Sequence, residues 1–115
     1  MFRGEIWRIQ LDPTVGVEIQ KTRPVVILSS DAIGVLPLRV IVPLTEWKDR
    51  YEKAHWMVAI EPSQENGLAK KSAADAFQVR SVSTARFLQR MGKLAAPVVE
   101  AIVLALGLVA EYPVA

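Results

Sequence analysis

The chain contains 115 residues, of which 51% are hydrophobic and 23% are charged, and its formal net charge is +2 at pH 7. These values exclude a disordered chain and predict a single domain, residues 1–115, with a modest core. The chain has no cysteine, which excludes disulfides, thiolate catalysis and cysteine-ligated zinc. Because no apolar run of signal-peptide length follows the N-terminus, we expect a cytoplasmic protein.

The first predicted strand covers residues 4–11, where apolar and polar side chains alternate loosely. Asp12 and Pro13 end this strand, and a loop of residues 12–22 leads to the next one. The loop is long for so small a domain, and its single glycine, Gly16, offers a turn position. Long loops carry function more often than short ones do, which makes this loop a candidate for function.

Arg23 and Pro24 stand directly before the apolar run of residues 25–28. Pro24 has no N–H group to give to a sheet, so we predict that a strand begins there. The same proline holds Arg23 in an extended conformation at the mouth of that strand. A second run rich in β-branched residues covers residues 38–44 and ends at Thr45.

Residues 31–37 lie between these two runs, and so short a connection suits a hairpin better than a crossover helix. Antiparallel pairing then brings Arg23 next to Thr45, with Cα atoms about 5 Å apart if the two residues are directly opposed. A guanidinium group and a hydroxyl at one strand end can hold a phosphate. The alternative is a surface arginine and a strand-end threonine with no shared chemistry.

The middle of the chain combines short strand-like segments with turns. We predict a helical turn or mobile loop at residues 46–54, a strand at 55–60, a turn at 63–67, a strand at 72–82, a helical turn at 83–86 and a strand near 88–94. His55, the only histidine, is predicted to be a structural residue at the start of a strand. Trp7 and Trp56 lie inside strand patterns and are predicted to be core residues.

Positive charge is concentrated in residues 70–93, which hold six Lys or Arg residues and one acidic residue. The six cations are Lys70, Lys71, Arg80, Arg86, Arg90 and Lys93, and the acidic residue is Asp75. A phosphate-facing surface would use such a stretch, and a solvated face is the alternative explanation.

A C-terminal helix is predicted over residues 96–110, with Pro97 in its first turn. Glu100 is the only polar side chain between Pro97 and Ala110. A helix that is apolar on every side needs more cover than one small sheet can offer, so we predict a homodimer. The uninterrupted apolar run is ten residues long, whereas a membrane span needs about 20, so no membrane partner is expected.

The residue inventory excludes several kinds of site. A single histidine excludes a multi-histidine metal site, and the glycines, never closer than twelve positions apart, exclude a glycine-rich phosphate loop. What remains is chemistry whose nucleophile belongs to the substrate. RNA can be cut in this way when its 2′-hydroxyl attacks the neighbouring phosphorus and the protein moves protons and stabilises charge.

Six segments carry a resemblance to a known family, in the same order and at matching spacing. They are GEIW at residues 4–7, LDP at 11–13, GVE at 16–18, RPVV at 23–26, VPLT at 42–45 and QVRSV at 78–82. In these segments the chain resembles the MazF/PemK toxins of bacterial toxin–antitoxin pairs. It departs from them at Glu5, Ile19 and Phe77, where the family often has Asp, Gln and an acidic residue.

The resemblance implies a mainly β fold with helices, a small SH3-like barrel of the CcdB/PemK type with a C-terminal α-helix. It also implies a homodimeric endoribonuclease, an mRNA interferase, that cuts single-stranded RNA at a short preferred sequence. The 2′-hydroxyl would attack without a metal or any other cofactor, and a cognate antitoxin would neutralise the enzyme.

The family's catalytic Arg and Thr correspond to Arg23 and Thr45. Physically, Arg23 suits charge stabilisation better than proton transfer, because the pKa of arginine is normally above about 12. The resemblance further implies that Glu18, Gln20, Ser72 and Gln78 line the RNA groove. Gln78 could instead be a strand-face glutamine bonded to backbone. Trp47, two residues past Thr45, could stack on a base.

Two other functions are compatible with this likeness. A related branch of the superfamily poisons DNA gyrase by contact and cuts nothing, but contact inhibition does not need Arg23 or Thr45. An inactive relative is the other alternative, because of the changes at Ile19 and Phe77.

Overall fold

The computed structural model describes residues 1–11 and 22–112. Its strands are β1 (Glu5–Gln10), β2 (Thr22–Ile27), β3 (Leu38–Glu46), β4 (Met57–Ile60), β5 (Ser72–Asp75), β6 (Arg80–Ser83) and β7 (Phe87–Lys93). One α-helix, α1, covers Ala96–Val109, and short 3-10 turns cover Asp31–Ile33, Asp49–Lys53, Ala76–Gln78 and Thr84–Arg86. The predicted turn position at Gly16 lies outside the described residues.

The strands form one antiparallel sheet in the order β4-β5-β3-β2-β1-β7, and β6 also pairs with β3. The nine-residue strand β3 makes this possible, since its first part pairs with β6 and its last three residues pair with β5. The predicted mainly β class with a C-terminal helix is confirmed. Among the described strands β4 and β7 are the ends of the sheet, which is therefore not closed by pairing.

Alternating side chains on β2 and β3 supply two separate hydrophobic clusters. Val26, Val42 and Leu44 belong to the first cluster, which α1 covers with Val99 and Ile102. The opposite face carries the second cluster, formed by Ile9, Val25, Ile27, Ile41, Val82 and Phe87. Full burial of each such side chain stabilises the fold by roughly 1.5–3 kcal/mol, so both faces of the central strands are fixed.

Helix α1 buries one stripe only. Val99, Ile102 and Ala105 are buried at a spacing of three residues, as expected for one face of a helix. Leu104 and Leu108, on the other side, are 61% and 58% exposed. Pro97 occupies the first turn as predicted. No helix within residues 1–11 and 22–112 is both long and apolar enough to cross a membrane.

The predicted start of a strand at Pro24 is wrong, because β2 begins at Thr22. Thr22 and Arg23 pair with Gln10 and Ile9 of β1. The β2–β3 ladder ends at the pair Val25–Pro43, so the missing N–H of Pro24 interrupts no β2–β3 pair.

The predicted strand at residues 72–82 is also wrong, because a 3-10 turn at Ala76–Gln78 divides it into β5 and β6. The Oδ1 atom of Asp75 accepts a hydrogen bond from the backbone N–H of Phe77, 3.1 Å away. An aspartate that caps the following residues in this way offers the backbone an alternative to strand pairing. The chain consequently turns at the end of β5.

Two of the predictions around β4 are wrong. This strand begins at Met57, so His55 precedes it and is exposed. Trp56 is 40% exposed and makes an edge-on contact with the exposed Phe77 at 6.1 Å between ring centres. Trp7 does pack against the second cluster and contacts Phe87 edge-on. The difference arises because β4 is the edge of the sheet, whereas β1 lies inside it.

Candidate active site

The antiparallel pairing of β2 with β3 brings Arg23 and Thr45 together. The β2–β3 ladder ends at the pair Val25–Pro43, and Arg23 and Thr45 each lie two residues beyond this pair, on β2 and β3. Because side chains two residues apart share a face, Arg23 and Thr45 extend on the same side as Val25 and Pro43. Both line one open pocket of about 150 Å³. The sequence-based prediction that these side chains meet agrees with this geometry.

The other walls of this pocket come from β3 itself and from the strands and turns next to it. They are Pro43, Tyr51, Met57, Asp75 and Gln78. Met57 on β4 pairs with Asp75 on β5, and Ala73 on β5 pairs with Thr45 on β3. The pairing of β3, β5 and β4 thus carries one face of the sheet across from Thr45 to Met57. We call this cavity the Arg23 pocket.

The Arg23 pocket contains unneutralised charge. Arg23 is exposed, and its side chain forms no hydrogen bond or ion pair with the residues that the structure describes. Asp75 accepts one hydrogen bond, from Phe77 N, and no ion pair joins it to Arg23. A guanidinium group in such a position has its donors available for an anionic ligand.

A second cavity, of about 370 Å³, adjoins the first and shares Thr45 with it. Its cationic lining residues are Arg8 and Lys70. Arg8 donates a hydrogen bond to Thr22 Oγ1 at 3.3 Å, and Lys70 lies 3.8 Å from Glu46 in an exposed ion pair. Thr45 therefore stands on a rim that has a concave surface on either side.

Ser72 lies in this second cavity and not in the Arg23 pocket. The residue is buried, and its hydroxyl donates to the carbonyl oxygen of Lys70 at 3.0 Å. Gln78, in contrast, is exposed in the 3-10 turn and lines the Arg23 pocket. Glu18 and Gln20 lie outside the described residues. The structure thus brings Gln78 together with Arg23 and Thr45, and separates Ser72 from them.

Trp47 does not line the Arg23 pocket, but Tyr51 does. Lys71 Nζ lies 4.7 Å from the centre of the Trp47 ring, and Tyr51 meets this ring edge-on at 5.9 Å. One face of Trp47 is therefore covered by a cation, and its role in stacking on a base remains a prediction. Sequence reasoning missed Tyr51, Met57 and Asp75, because only the pairing of distant strands and turns brings them to Arg23.

Much of the positive charge of residues 70–93 serves the fold. Arg90 donates to Glu5 at 3.0 Å, and Arg86 donates to the backbone carbonyls of Gln10 and Leu11 at the end of β1. Lys71 lies 3.5 Å from Glu61. The basic stretch is therefore not one continuous phosphate-binding surface. Within residues 1–11 and 22–112, no three His, Asp or Glu side chains are placed to hold a metal ion.

Comparison with known proteins identifies the family. The family model for the PemK-like, MazF-like toxin of type II toxin-antitoxin system matches residues 2–110. The chain belongs to this PemK/MazF toxin family. It is 32% identical over 102 residues to the endoribonuclease MazF9 of Mycobacterium tuberculosis (strain ATCC 25618 / H37Rv), which covers 84% of each chain. It is 44% identical over 62 residues to the Escherichia coli endoribonuclease PemK, which covers 53% of this chain and 47% of that one.

Solved structures of PemK/MazF toxins share the fold. A Deinococcus radiodurans MazE-MazF structure (Form-II) superposes with a TM-score of 0.79 at 22% identity, covering 98% of this chain and 97% of that chain. A mycobacterial endoribonuclease in complex with its cognate antitoxin superposes with a TM-score of 0.76 at 21% identity, with the same coverage. In this PemK/MazF toxin, Phe77 is exposed, and the carboxylate that lines the Arg23 pocket belongs to Asp75.

Proposed function

We propose that this toxin is an endoribonuclease that cuts single-stranded RNA at a short preferred sequence, without a metal ion. The observation that carries the proposal is that Arg23 and Thr45 line one open pocket. The relatives named endoribonucleases, MazF9 and PemK, support it.

The reaction uses a nucleophile from the substrate. The 2′-hydroxyl oxygen bonds to the adjacent phosphorus while the bond from phosphorus to the 5′ oxygen breaks. The 2′-hydroxyl loses its proton, the 5′ oxygen gains one, and the products are a 2′,3′-cyclic phosphate and a 5′-hydroxyl end. Negative charge grows on the non-bridging oxygens, and pre-placed donors at those oxygens lower the barrier.

Arg23 and Thr45 suit this task. The guanidinium of Arg23 forms no bond with the described residues, so its N–H groups can face two phosphate oxygens. The half-buried hydroxyl of Thr45 can donate to a third acceptor on the same rim. The second cavity, with Arg8 and Lys70, offers a path for the next nucleotide on the other side of Thr45.

The substrate would be single-stranded, because the Arg23 pocket is small and an unpaired base can turn into it. A cognate antitoxin would regulate the toxin, as suggested by the solved complex of a mycobacterial relative with its own antitoxin. A homodimer would cover the outward side of α1, where Leu104 and Leu108 are exposed.

The test is to incubate purified protein with a long RNA in EDTA and to sequence the 5′ ends of the fragments. We expect cuts at one short sequence, 5′-hydroxyl and 2′,3′-cyclic phosphate ends, and no cutting of DNA with the same sequence. Absence of cuts, or cutting only with added metal, would refute the proposal.

A further inference from the structure

We infer that Asp75 selects the base that enters the Arg23 pocket, because its carboxylate accepts hydrogen bonds from a base amino group. Adenine, cytosine and guanine carry such a group and would be bound in preference to uracil. This inference rests on the proposed function, since it assumes that RNA occupies the pocket.

The position of Asp75 is the first reason. It is the last residue of β5, it pairs with Met57 of β4, and it lines the same pocket as Arg23. Its Oδ1 accepts from Phe77 N, while its Oδ2 accepts no hydrogen bond from residues 1–11 or 22–112. One carboxylate oxygen is thus fixed by the backbone, and the other is available to a ligand.

The Arg23 pocket contains one cation and one anion that do not pair with each other. Arg23 and Asp75 both line it, yet they form no ion pair within 4.0 Å. A phosphate is attracted to the guanidinium and repelled by the carboxylate. The group beside Asp75 is therefore a hydrogen-bond donor. In RNA the donors next to the phosphate are the 2′-hydroxyl and the base, and since the 2′-hydroxyl reacts at the phosphorus, we assign the base to Asp75.

The remaining lining residues suit a flat ring. Pro43, Tyr51 and Met57 supply apolar and aromatic surface, and Gln78 adds an amide that can both donate and accept. Aromatic side chains commonly stack on RNA bases, and polar groups then read the base edge. Asp75 and Gln78 are the side chains of this pocket that we assign to hydrogen bonds with the base edge.

The chemistry of the bases decides the preference. An aspartate carboxylate can only accept, and it suits an amino group such as that of cytosine or adenine. Uracil carries a carbonyl oxygen where cytosine carries its amino group. Only the N3–H of uracil can donate to the carboxylate, and the carbonyl oxygens on either side of it repel the carboxylate. A good base contact discriminates by about tenfold or more between bases.

The variant Asp75→Asn tests this without disturbing the turn. An asparagine oxygen can still accept from Phe77 N, while its amide nitrogen can donate to the carbonyl of uracil. Asp31→Asn is the matched control, because Asp31 is exposed and its Oδ1 accepts from the backbone N–H of Arg3 at 2.8 Å, outside both cavities.

The measurement is the binding of short single-stranded DNA oligomers of dA, dC or dU, which have no 2′-hydroxyl to react. We expect wild type and Asp31→Asn to bind dA and dC oligomers at least about tenfold more tightly than dU. In Asp75→Asn the difference should fall to within about threefold. Equal binding of all oligomers by wild type, no binding of any, or an unchanged preference in Asp75→Asn would overturn the inference.

Cutting of RNA is scored separately, so that the two proposals can fail independently. Base preference without RNA cutting would refute the endoribonuclease and leave the role of Asp75 standing. If wild type cuts RNA but shows no base preference that depends on Asp75, the endoribonuclease proposal stands and the role of Asp75 is refuted. If Asp75→Asn stops cutting at every sequence but binds dU as poorly as wild type does, Asp75 belongs to the chemistry and not to base selection.

Discussion

Arg23 and Asp75 line the same pocket from different strands, and no ion pair joins them. If they neutralised each other, the pocket would offer little to a charged ligand. Because they do not, the pocket presents an unpaired guanidinium and an unpaired carboxylate. This combination supports a phosphate beside Arg23 and a base beside Asp75.

Arg23→Ala and Thr45→Ala should each reduce RNA cutting, Arg23→Ala by about a hundredfold or more, because they remove donors to the developing phosphorane charge. Initial rates on a single cut site measure this effect. Arg3→Ala is the control. The next residue, Gly4, donates its backbone N–H to Ile27 O, so Arg3 lies near the end of β2 that is far from Arg23. A fold check by circular dichroism accompanies each variant. Unchanged cutting by Arg23→Ala would place the site elsewhere.

Glu5 should make the folded state sensitive to acid. Burial by itself raises the pKa of Glu5, but hydrogen bonds from Trp7, Phe2 and Arg90 and the N-terminal charge lower it from 4.5 to about 2. Because the folded pKa lies below the unfolded one, this stabilisation is present above pH 4.5 and is lost as the pH falls towards 2.

Glu5→Gln should lower the free energy of unfolding at pH 7 by up to about 3 kcal/mol and should flatten its dependence on pH between 4.5 and 2. Urea unfolding at several pH values measures both effects. Glu46→Gln is the control, because Glu46 forms only an exposed pair with Lys70 and should change stability by less than about 1 kcal/mol. Equal pH profiles for wild type and Glu5→Gln would contradict this account.

Gly92→Ala should destabilise the protein by about 1–3 kcal/mol. A Cβ atom at Gly92 would overlap the backbone of Glu65 and Asn66, which is held in place by a hydrogen bond from Lys93 N to Glu65 O at 2.9 Å. Gly107→Ala in α1 is the control with the opposite expected sign. A Cβ atom there has room, because its nearest neighbour would be Tyr112 Cβ at 3.7 Å. It should raise the melting temperature, because alanine favours helix more than glycine does. Thermal unfolding of both variants tests the pair.

Leu104→Glu should convert a dimer into monomers if the outward side of α1 is the contact between subunits. Leu104 is 61% exposed in one chain, so a charge there is harmless to the fold and unfavourable in an apolar interface. Light scattering after size-exclusion chromatography measures the mass. Glu100→Gln, on the same helix and also exposed, is the control. A dimer that survives Leu104→Glu would place the interface on another surface.

The meeting of Arg23 and Thr45 could be expected from sequence because it depends on one hairpin. A short connection and a β-branched run on each side determine both the pairing and the face. The helix at the C-terminus and the turn after Ser83 were likewise predictable, since caps and periodicity are local. The end of β5 could not be predicted from the sequence, because Asp75 caps a turn inside a stretch whose pattern is that of a continuous strand.

The sequence by itself determined the family, the mainly β class, the apolar helix and the neighbouring positions of Arg23 and Thr45. Only the tertiary structure decided which other side chains share their pocket. Met57 and Asp75 join the pocket because β3 pairs with β5 and β5 pairs with β4, and neither pairing follows from a local pattern. Tyr51 joins it from the 3-10 turn Asp49–Lys53. Ser72 lies in the second cavity, because adjacent residues of a strand face opposite sides of the sheet and its neighbour Ala73 is the residue that pairs with Thr45.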